Sequence, residues 1–505
     1  MLKKIRITIA TIVIVLITWL FLDFSGVLHL WFGWLAKIQL IPAVFVSNAI
    51  IVLALVLLTQ LFGRIYCSIL CPFGILQDCI SHISGRRSGK GSRFRFSMGM
   101  PLLRNGIFIL FIIGLLAGIS VVVSLLDPYA AFGRVASNIF SPVYRFGNNI
   151  LASLAESVDS YALYPTSVWT KSWITLGVAL ATISAIGLLA WKNGRTYCNT
   201  ICPVGTFLGI FSRNAVYKLT IDTKKCTKCG LCEKGCKASC IDSANSYIDH
   251  SRCVACFNCI GNCKLGGLKY VPKMEFLPES KQYKPTTPDT ESNTASMTRR
   301  SALAIAWGVA FARVAKAQES LVNIDGGLAE LQDKKIPERK TQVVPPGAES
   351  LSNLSKKCSA CQLCVSSCPN NVLRPSNGLS SLMQPEMSFE AGYCRPECVE
   401  CSLVCPSGAI QKITKEEKTT ISIGSVVWVK ENCVVNRDKV QCNSCQRRCP
   451  TEAITLVIDP EADGKLKIPV IDNEKCIGCG ACEYYCPARP FSAIFVEGHH
   501  RHHSI

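Results

Sequence analysis

Apolar residues are concentrated before residue 192 of this 505-residue chain, and they fall in long runs rather than in alternation. Residues 7–22, 42–62, 105–126 and 172–191 are nearly free of charge. Each approaches the ~20 residues that carry a helix across a bilayer core, and the first does so fully only if it extends past Asp23. Residues 28–40 mix His29, Trp31, Trp34 and Lys37 with apolar side chains, which suits a helix lying in the membrane interface. A basic N-terminus before an apolar run also describes a cleavable signal peptide. No A-x-A site follows in range and a second run comes soon after, so a signal anchor is expected. After residue 192 the pattern breaks into short segments punctuated by cysteine, glycine and proline.

Charge orients the four spans. Lys3, Lys4 and Arg6 precede the first, and the stretch from Arg64 to Arg104 includes Arg86, Arg87, Lys90, Arg93 and Arg95. The longer stretch 127–171 carries only Arg134, Arg145 and Lys171. The positive-inside bias puts the N-terminus and 63–104 in the cytoplasm, 127–171 outside, and residue 192 back in the cytoplasm. A hydrophobic content of 49% and a mean hydropathy of +0.28 agree with a membrane protein. The net charge of +19 partly reflects this loop bias, so it does not point to nucleic acid.

The chain has 30 cysteines, of which 24 form six blocks of four. Four blocks read C-x2-C-x2-C-x3-C: Cys226/Cys229/Cys232/Cys236, Cys253/Cys256/Cys259/Cys263, Cys358/Cys361/Cys364/Cys368 and Cys476/Cys479/Cys482/Cys486. Two are stretched, Cys394/Cys398/Cys401/Cys405 and Cys433/Cys442/Cys445/Cys449. Three thiolates so spaced can wrap a cubane, and the fourth reaches the partner cluster of a two-cluster module. Structural zinc uses pairs of knuckles, often with His. Here the triplet-plus-one recurs, no block contains His, and Pro follows Cys368, Cys405, Cys449 and Cys486. A disulfide scaffold would not repeat a cubane spacing. Six [4Fe–4S] clusters are therefore expected. The usual exchange of the fourth ligand would join Cys263 to Cys226, Cys229 and Cys232, and Cys236 to Cys253, Cys256 and Cys259. In 358–486, blocks could pair with the nearest block or in a nested order.

Two further pairs stand apart. Arg64-Ile-Tyr-Cys67-Ser-Ile-Leu-Cys71-Pro-Phe-Gly74 and Arg195-Thr-Tyr-Cys198-Asn-Thr-Ile-Cys202-Pro-Val-Gly205 repeat the phrase R-x-Y-C-x3-C-P-x-G at the ends of the second and fourth spans. Cysteines at i and i+4 share a helical face, so Cys67, Cys71, Cys198 and Cys202 could hold a seventh cluster or form a redox-active thiol set. The plainer alternative is a helix-ending Cys-Pro motif whose thiols only pack. Cys79 and Cys240 belong to no set and read as structural or free. The spans hold no histidine and no C-x-x-C-H occurs, so haem has no ligands, and no G-x-G-x-x-G or P-loop offers a nucleotide site.

Residues 276–296 read as a linker rich in Pro, Ser and Thr. Then Arg299-Arg300 precedes an apolar run ending at Ala315-Lys-Ala317, which taken alone is a twin-arginine export signal with an A-x-A site. The alternative is an amphipathic or buried linker helix. Retained, it makes 297–318 a short fifth membrane segment and places the residues after it outside. Residues 319–350 read as a second linker.

With these residues in view, the chain resembles the ferredoxin-type electron-transfer proteins of periplasmic nitrate reductase systems. Residues 1–280 resemble the membrane component NapH, in the spans, the paired Y-C-x3-C-P-x-G phrases and the tail around Asp249 to Cys259. Residues 297–497 resemble its exported partner NapG, in the twin arginines, Tyr393-Cys394-Arg-Pro-Glu-Cys398-Val-Glu-Cys401, and four blocks in order. The two are normally separate, and Cys236 and Cys263 are followed by Lys rather than Pro. The resemblance implies a multidomain chain of all-α transmembrane helices (1–217), then α+β ferredoxin-like modules: a cytoplasmic two-cluster module (218–275) and a periplasmic four-cluster module (351–497). It implies a multi-pass protein of the cytoplasmic membrane that passes electrons between the quinone pool, menaquinone included, and a periplasmic reductase or its electron-carrier subunit, as a component of a quinol dehydrogenase rather than a complete enzyme. No motif marks a quinone site. Asp23 and the Asp127-Pro128-Tyr129 corner are the polar groups near the outer face, and their ordinary reading is helix-end residues in solvent. The rival function is a membrane factor that assembles a metal centre by iron–sulfur or thiol chemistry. A copper-handling version would expose Met, His or Cys on 127–171, which has none.

Overall fold

The computed structural model describes residues 1–23, 26–87, 94–162, 164–166, 168, 171–272, 324–325, 329–330, 332–460 and 466–505. Two helices, Leu2–Leu22 and Trp173–Asn193, are long and apolar enough to cross a membrane by length and composition. At 21 residues each they span about 30 Å.

The other two expected spans are interrupted. Residues 42–62 form Leu40–Phe45 and Ala49–Phe62. Ser47 between them is left-handed at φ 56, and Asn48 caps the second piece by accepting from the Ile51 amide at 3.2 Å. Residues 105–126 form Pro101–Ala117 and Ser120–Leu126, broken at Gly118, whose φ of 71 ends the first helix. Glycine adopts this backbone without cost, and an apolar count does not register it. The interfacial stretch forms short helices Val27–Phe32 and Trp34–Lys37, with Leu30, Trp31 and Trp34 exposed.

The stretch 127–171, expected as an outer loop, is largely helical. Pro128–Val135 runs through a π turn at Ala136–Phe140 into Ser141–Glu156. Asp127 caps it by accepting from the Tyr129 amide at 2.9 Å, and every residue of Pro128–Val135 is buried. It packs against Pro72–Arg87 and Trp173–Asn193.

Two mixed helix–strand modules adjoin the helical region. In the first, Tyr217–Ile221 pairs antiparallel with Leu268–Pro272, and Ile241–Asp242 with Tyr247–Ile248. In the second, Leu373–Pro375 pairs with Pro385–Met387, Ile454–Ile458 with Lys467–Ile471, and Ile421–Trp428 with Ile494–Ser504. The last strand carries the histidine-rich end beyond residue 497. The expected linker 319–350 is packed against this module from residue 334. Lys334 donates to the carbonyls of Glu483, Tyr484 and Cys486, Arg339 pairs with Glu483 at 2.5 Å, and Val343, Val344 and Ala348 are buried. The linker 276–296 and the twin-arginine segment 297–318 lie outside the described residues.

The modules meet opposite ends of the Leu2–Leu22 helix. Lys3 lies beside Gly261 of the first, and Phe21 lies against Gly133, whose other neighbour is the Cys361 carbonyl of the second.

Candidate functional site: a succession of thiol sets

The two repeated phrases interlock. Cys67, Cys71, Cys198 and Cys202 are all buried in one core. Cys71 is within electrostatic reach of Cys67 and Cys198, and Cys202 of all three others. Each leading arginine crosses to the opposite repeat. Arg64 donates to the Cys198 carbonyl at 3.0 Å, and Arg195 donates to the Cys67 carbonyl at 2.6 Å. The glycine closing each phrase, Gly74 or Gly205, lies so close to its own repeat's cysteine carbonyl that any Cβ would collide with it. The arginine and the glycine of each phrase thus have a contact that explains them. Gln77 donates to the Cys198 sulfur at 3.3 Å and the Gly205 amide to the Cys202 sulfur at 3.4 Å. Such donors suit thiolates that share a metal cluster.

The arginines are themselves anchored. Asp78 bridges Arg6 and Arg195, both at 2.8 Å, with Lys237 at 3.5 Å. Burial alone would raise this carboxyl, but Arg195, Lys237 and Arg6 hold it well below the ordinary carboxylate range. Arg64 also holds Asn199 and the Ser251 carbonyl, and Asn199 donates to the Ala238 carbonyl. The four-cysteine site is thereby fastened to the first module.

Within that module Cys236 lies with Cys253, Cys256 and Cys259. Cys226, Cys229, Cys232 and Cys263 line a separate cavity of ≈ 260 Å³. The first set faces the helical region, where Cys253 is near Arg64 and Cys256 near Asp78. The second faces outward, with Cys229 exposed. Cys240 is buried with its sulfur 3.6 Å from that of Cys236, so it packs against a ligand-set thiol. Cys79 is exposed.

In the second module the nearest blocks pair. Cys405 joins Cys358, Cys361 and Cys364, and Cys368 joins Cys394, Cys398 and Cys401. Cys449 joins Cys476 and Cys479, while Cys433, Cys442, Cys445 and Cys486 line one cavity. The Cys394 amide donates to the Cys479 carbonyl at 2.9 Å, which links the two pairs. The set containing Cys361 faces the helical region. Ser137 meets Ser366 at 2.7 Å, Asn138 donates to Gln362 at 2.7 Å, and His29 meets Ser367 at 3.1 Å. The sets therefore run in an order: the first module's outward-facing set, its set at the helices, the four-cysteine site, then the second module's four sets from Cys361 through Cys394 and Cys479 to Cys445.

Between the four-cysteine site and the Cys361 set lie Asp127 and Tyr129. Both are buried rather than in solvent, and the atoms Asp127 Oδ2 and Tyr129 Oη have no hydrogen-bond partner among the described residues. Tyr129 is within electrostatic reach of Cys361, Cys405, Asp127 and Tyr66, and Tyr66 of Cys71 and Cys67. Asp23 is also buried, accepting from the Leu28 amide at 2.9 Å.

Among the described residues no three Cys, His, Asp or Glu side chains converge on one metal-ion position. Four thiolates on a single zinc would sit ~3.8 Å apart, from a zinc–sulfur bond of ~2.3 Å. Sequence reasoning overlooked Gln77, Asp78 and Asn199, for which no local signal exists. Arg64 and Arg195 were in view as part of the repeat, though their partners were not.

The comparisons with known proteins point the same way. A family described as "4Fe-4S binding domain" matches residues 44–91 and again 173–221, one match per repeated phrase. A "4Fe-4S dicluster domain" matches residues 440–489. The methylamine utilization ferredoxin-type protein MauM of Methylobacillus flagellatus is 31% identical over 165 residues, covering 32% of this chain and 70% of its own. The ferredoxin-type protein NapG of Escherichia coli is 33% identical over 181 residues, covering 33% of this chain and 78% of its own. The ferredoxin-type protein NapF of Escherichia coli is 26% identical over 156 residues, covering 31% and 86%. No solved structure matches.

Proposed function

Because the chain belongs to the ferredoxin-type 4Fe–4S proteins related to MauM and NapG, we propose that it is a membrane electron conduit between the quinone pool and a periplasmic reductase or its electron-carrier subunit. The observation that carries this reading is the continuous succession of thiol sets from one end of the Leu2–Leu22 helix to the other. The six blocks would hold six [4Fe–4S] clusters. The interlocked Cys67, Cys71, Cys198 and Cys202 would hold a seventh, which the matched 4Fe–4S binding domains at both repeats support.

The chain crosses the cytoplasmic membrane several times, with residues 218–275 inside and the four-cluster module outside. The interrupted apolar segments then sit at membrane depth among other helices, where irregular backbone is tolerated because it is buried in protein. Quinol binds beside Asp127 and Tyr129. Buried polar groups without partners are costly, and a quinol headgroup would satisfy both. Oxidation of the quinol releases two protons and two electrons. Asp127 would accept a proton, and clusters held by the adjoining cysteine sets would supply one-electron acceptors for the electrons.

Three measurements test this. An anaerobically reconstituted sample should contain about 28 iron atoms per chain, or about 24 if the four-cysteine site is empty of iron. A value near eight (roughly two cubanes) would sink the reading. Topology reporters fused at residues 280 and 345 should report opposite sides of the membrane. A menaquinol analogue should reduce the clusters of the purified protein.

A further inference from the structure

The outward-facing inner set has no part in a path from quinol to the outer module. It lies beyond the four-cysteine site, on the side away from Asp127 and Cys361. Its setting is nonetheless distinctive. Lys224, Lys225, Lys228, Lys234 and Lys264 are all exposed around Cys226, Cys229, Cys232 and Cys263. The carboxylates in the same loops are withdrawn: Asp222 is buried, and Glu233 is held by the Phe96 amide at 3.0 Å and the Ser243 hydroxyl at 2.6 Å. Cys229 itself reaches the surface. The rim of the cavity adds apolar contact from exposed Leu231 and Leu265. A one-sign collar around an exposed redox site raises the local concentration of oppositely charged partners and speeds their encounter.

We propose that this set is a second electron port, where a small acidic one-electron carrier on the cytoplasmic side docks on the lysine collar and exchanges electrons with the chain. The inference rests on the electron-transfer reading but not on the quinol site. The step is a single electron transfer with no bond made or broken: the reduced carrier loses one electron, and the cluster that Cys226, Cys229, Cys232 and Cys263 would hold gains it. Two redox systems, one soluble and one membrane-borne, would then share the four-cysteine site as their junction. Anionic lipid headgroups are the other chemistry that five lysines fit, and the experiment separates the two.

The test uses the full-length holoprotein and, as probe, a photoreduced acidic plant-type [2Fe–2S] ferredoxin. At low ionic strength the ferredoxin should reduce the protein, and the variant carrying Lys224→Glu, Lys225→Glu, Lys228→Glu and Lys264→Glu should react about 10- to 100-fold more slowly. The difference should fade at ~1 M salt, where the screening length falls to ~3 Å. Affinity for the immobilised ferredoxin should weaken in parallel, a readout independent of electron flow. Dithionite should still bleach the variant fully, which establishes that its clusters are intact. Equal rates and equal affinity in the two proteins would overturn the proposal. So would a variant that keeps its ferredoxin affinity but loses binding to phosphatidylglycerol vesicles. If the ferredoxin reduces the protein and a menaquinol analogue does not, the quinol reading fails and this one stands; the reverse outcome removes the port alone.

Discussion

The two modules, inner and outer on the proposed topology, dock on the helical region in different ways. The inner module is held by charge. Arg64 reaches into it, Lys237 joins the Asp78 cluster, and Arg252 donates to the carbonyls of Ser97 and Ala238. The outer module is held by neutral hydrogen bonds such as Ser137 to Ser366 and Asn138 to Gln362, by one charged donor, Lys171 to the Val365 carbonyl, and by the close approach of Gly133 to the Cys361 backbone. In both, one thiol set is buried against the helices while another faces away. The contrast teaches that the helical region fixes the inner module as part of its own core and receives the outer one as a separate body.

The sharpest way to break that contrast is at Asp78. Asp78→Asn leaves the buried Arg6 and Arg195, with the partly exposed Lys237 beside them, around a neutral group, which costs about 3–5 kcal/mol. Thermal unfolding of the inner half should fall well below wild type. The carboxyl's folded pKa is depressed, so its stabilising contribution is present at neutral pH. It begins to be lost as pH falls below about 4, the ordinary carboxylate value, and disappears in stronger acid. A wild-type inner half whose stability declines between pH 7 and 5 on account of this group would contradict the assignment; Asp78→Asn provides the control.

Next comes the site between the modules. Cys67→Ser should lower quinol-dependent reduction of the clusters that the six remaining sets would hold on the order of 100-fold, or ~2.7 kcal/mol in barrier. Residues acting as one unit are not additive, so adding Cys198→Ser should cost little more. Dithionite should reduce those clusters in every variant, and retained quinol-dependent reduction would mean that the four thiols only pack.

A smaller effect is expected at the outer docking face. Gly133→Ala forces a methyl into the Cys361 carbonyl, an overpacking worth ~1–3 kcal/mol. The outer module should become easier to release by limited proteolysis, while the inner module stays protected. The smallest effect is expected for Gln362→Ala, which removes one interface hydrogen bond to Asn138 worth about 1 kcal/mol. A double-mutant cycle with Asn138→Ala should recover that coupling.

Much of the site was legible because cysteine spacing encodes ligand geometry directly. The repeat of Arg64 to Gly74 at Arg195 to Gly205 announced a paired structure, yet not that each arginine would clamp the other copy, since spacing within a segment says nothing about which segment faces it. For the same reason the partners of Cys368 and Cys405 were open in the sequence. Hydropathy located the apolar segments but missed the breaks at Ser47 and Gly118, which are set by single backbone conformations. It also took 127–171 for a solvent loop. Its polar Asp127 and Arg134 are in fact turned inward, where Asp127 caps a helix and Arg134 donates to the Ser124 carbonyl at 2.9 Å.

The neutral contacts at the outer docking face would make a fleeting complex between two free proteins. Here Ser137 and Ser366 belong to one chain, so the encounter is intramolecular. A tether of suitable length supplies an effective concentration in the millimolar range, enough to keep a weak interface occupied at any cellular abundance of the protein. On the proposed reading, the donor and acceptor halves would then always be present in equal number, and electron delivery across the interface would not depend on how much of either half the cell makes.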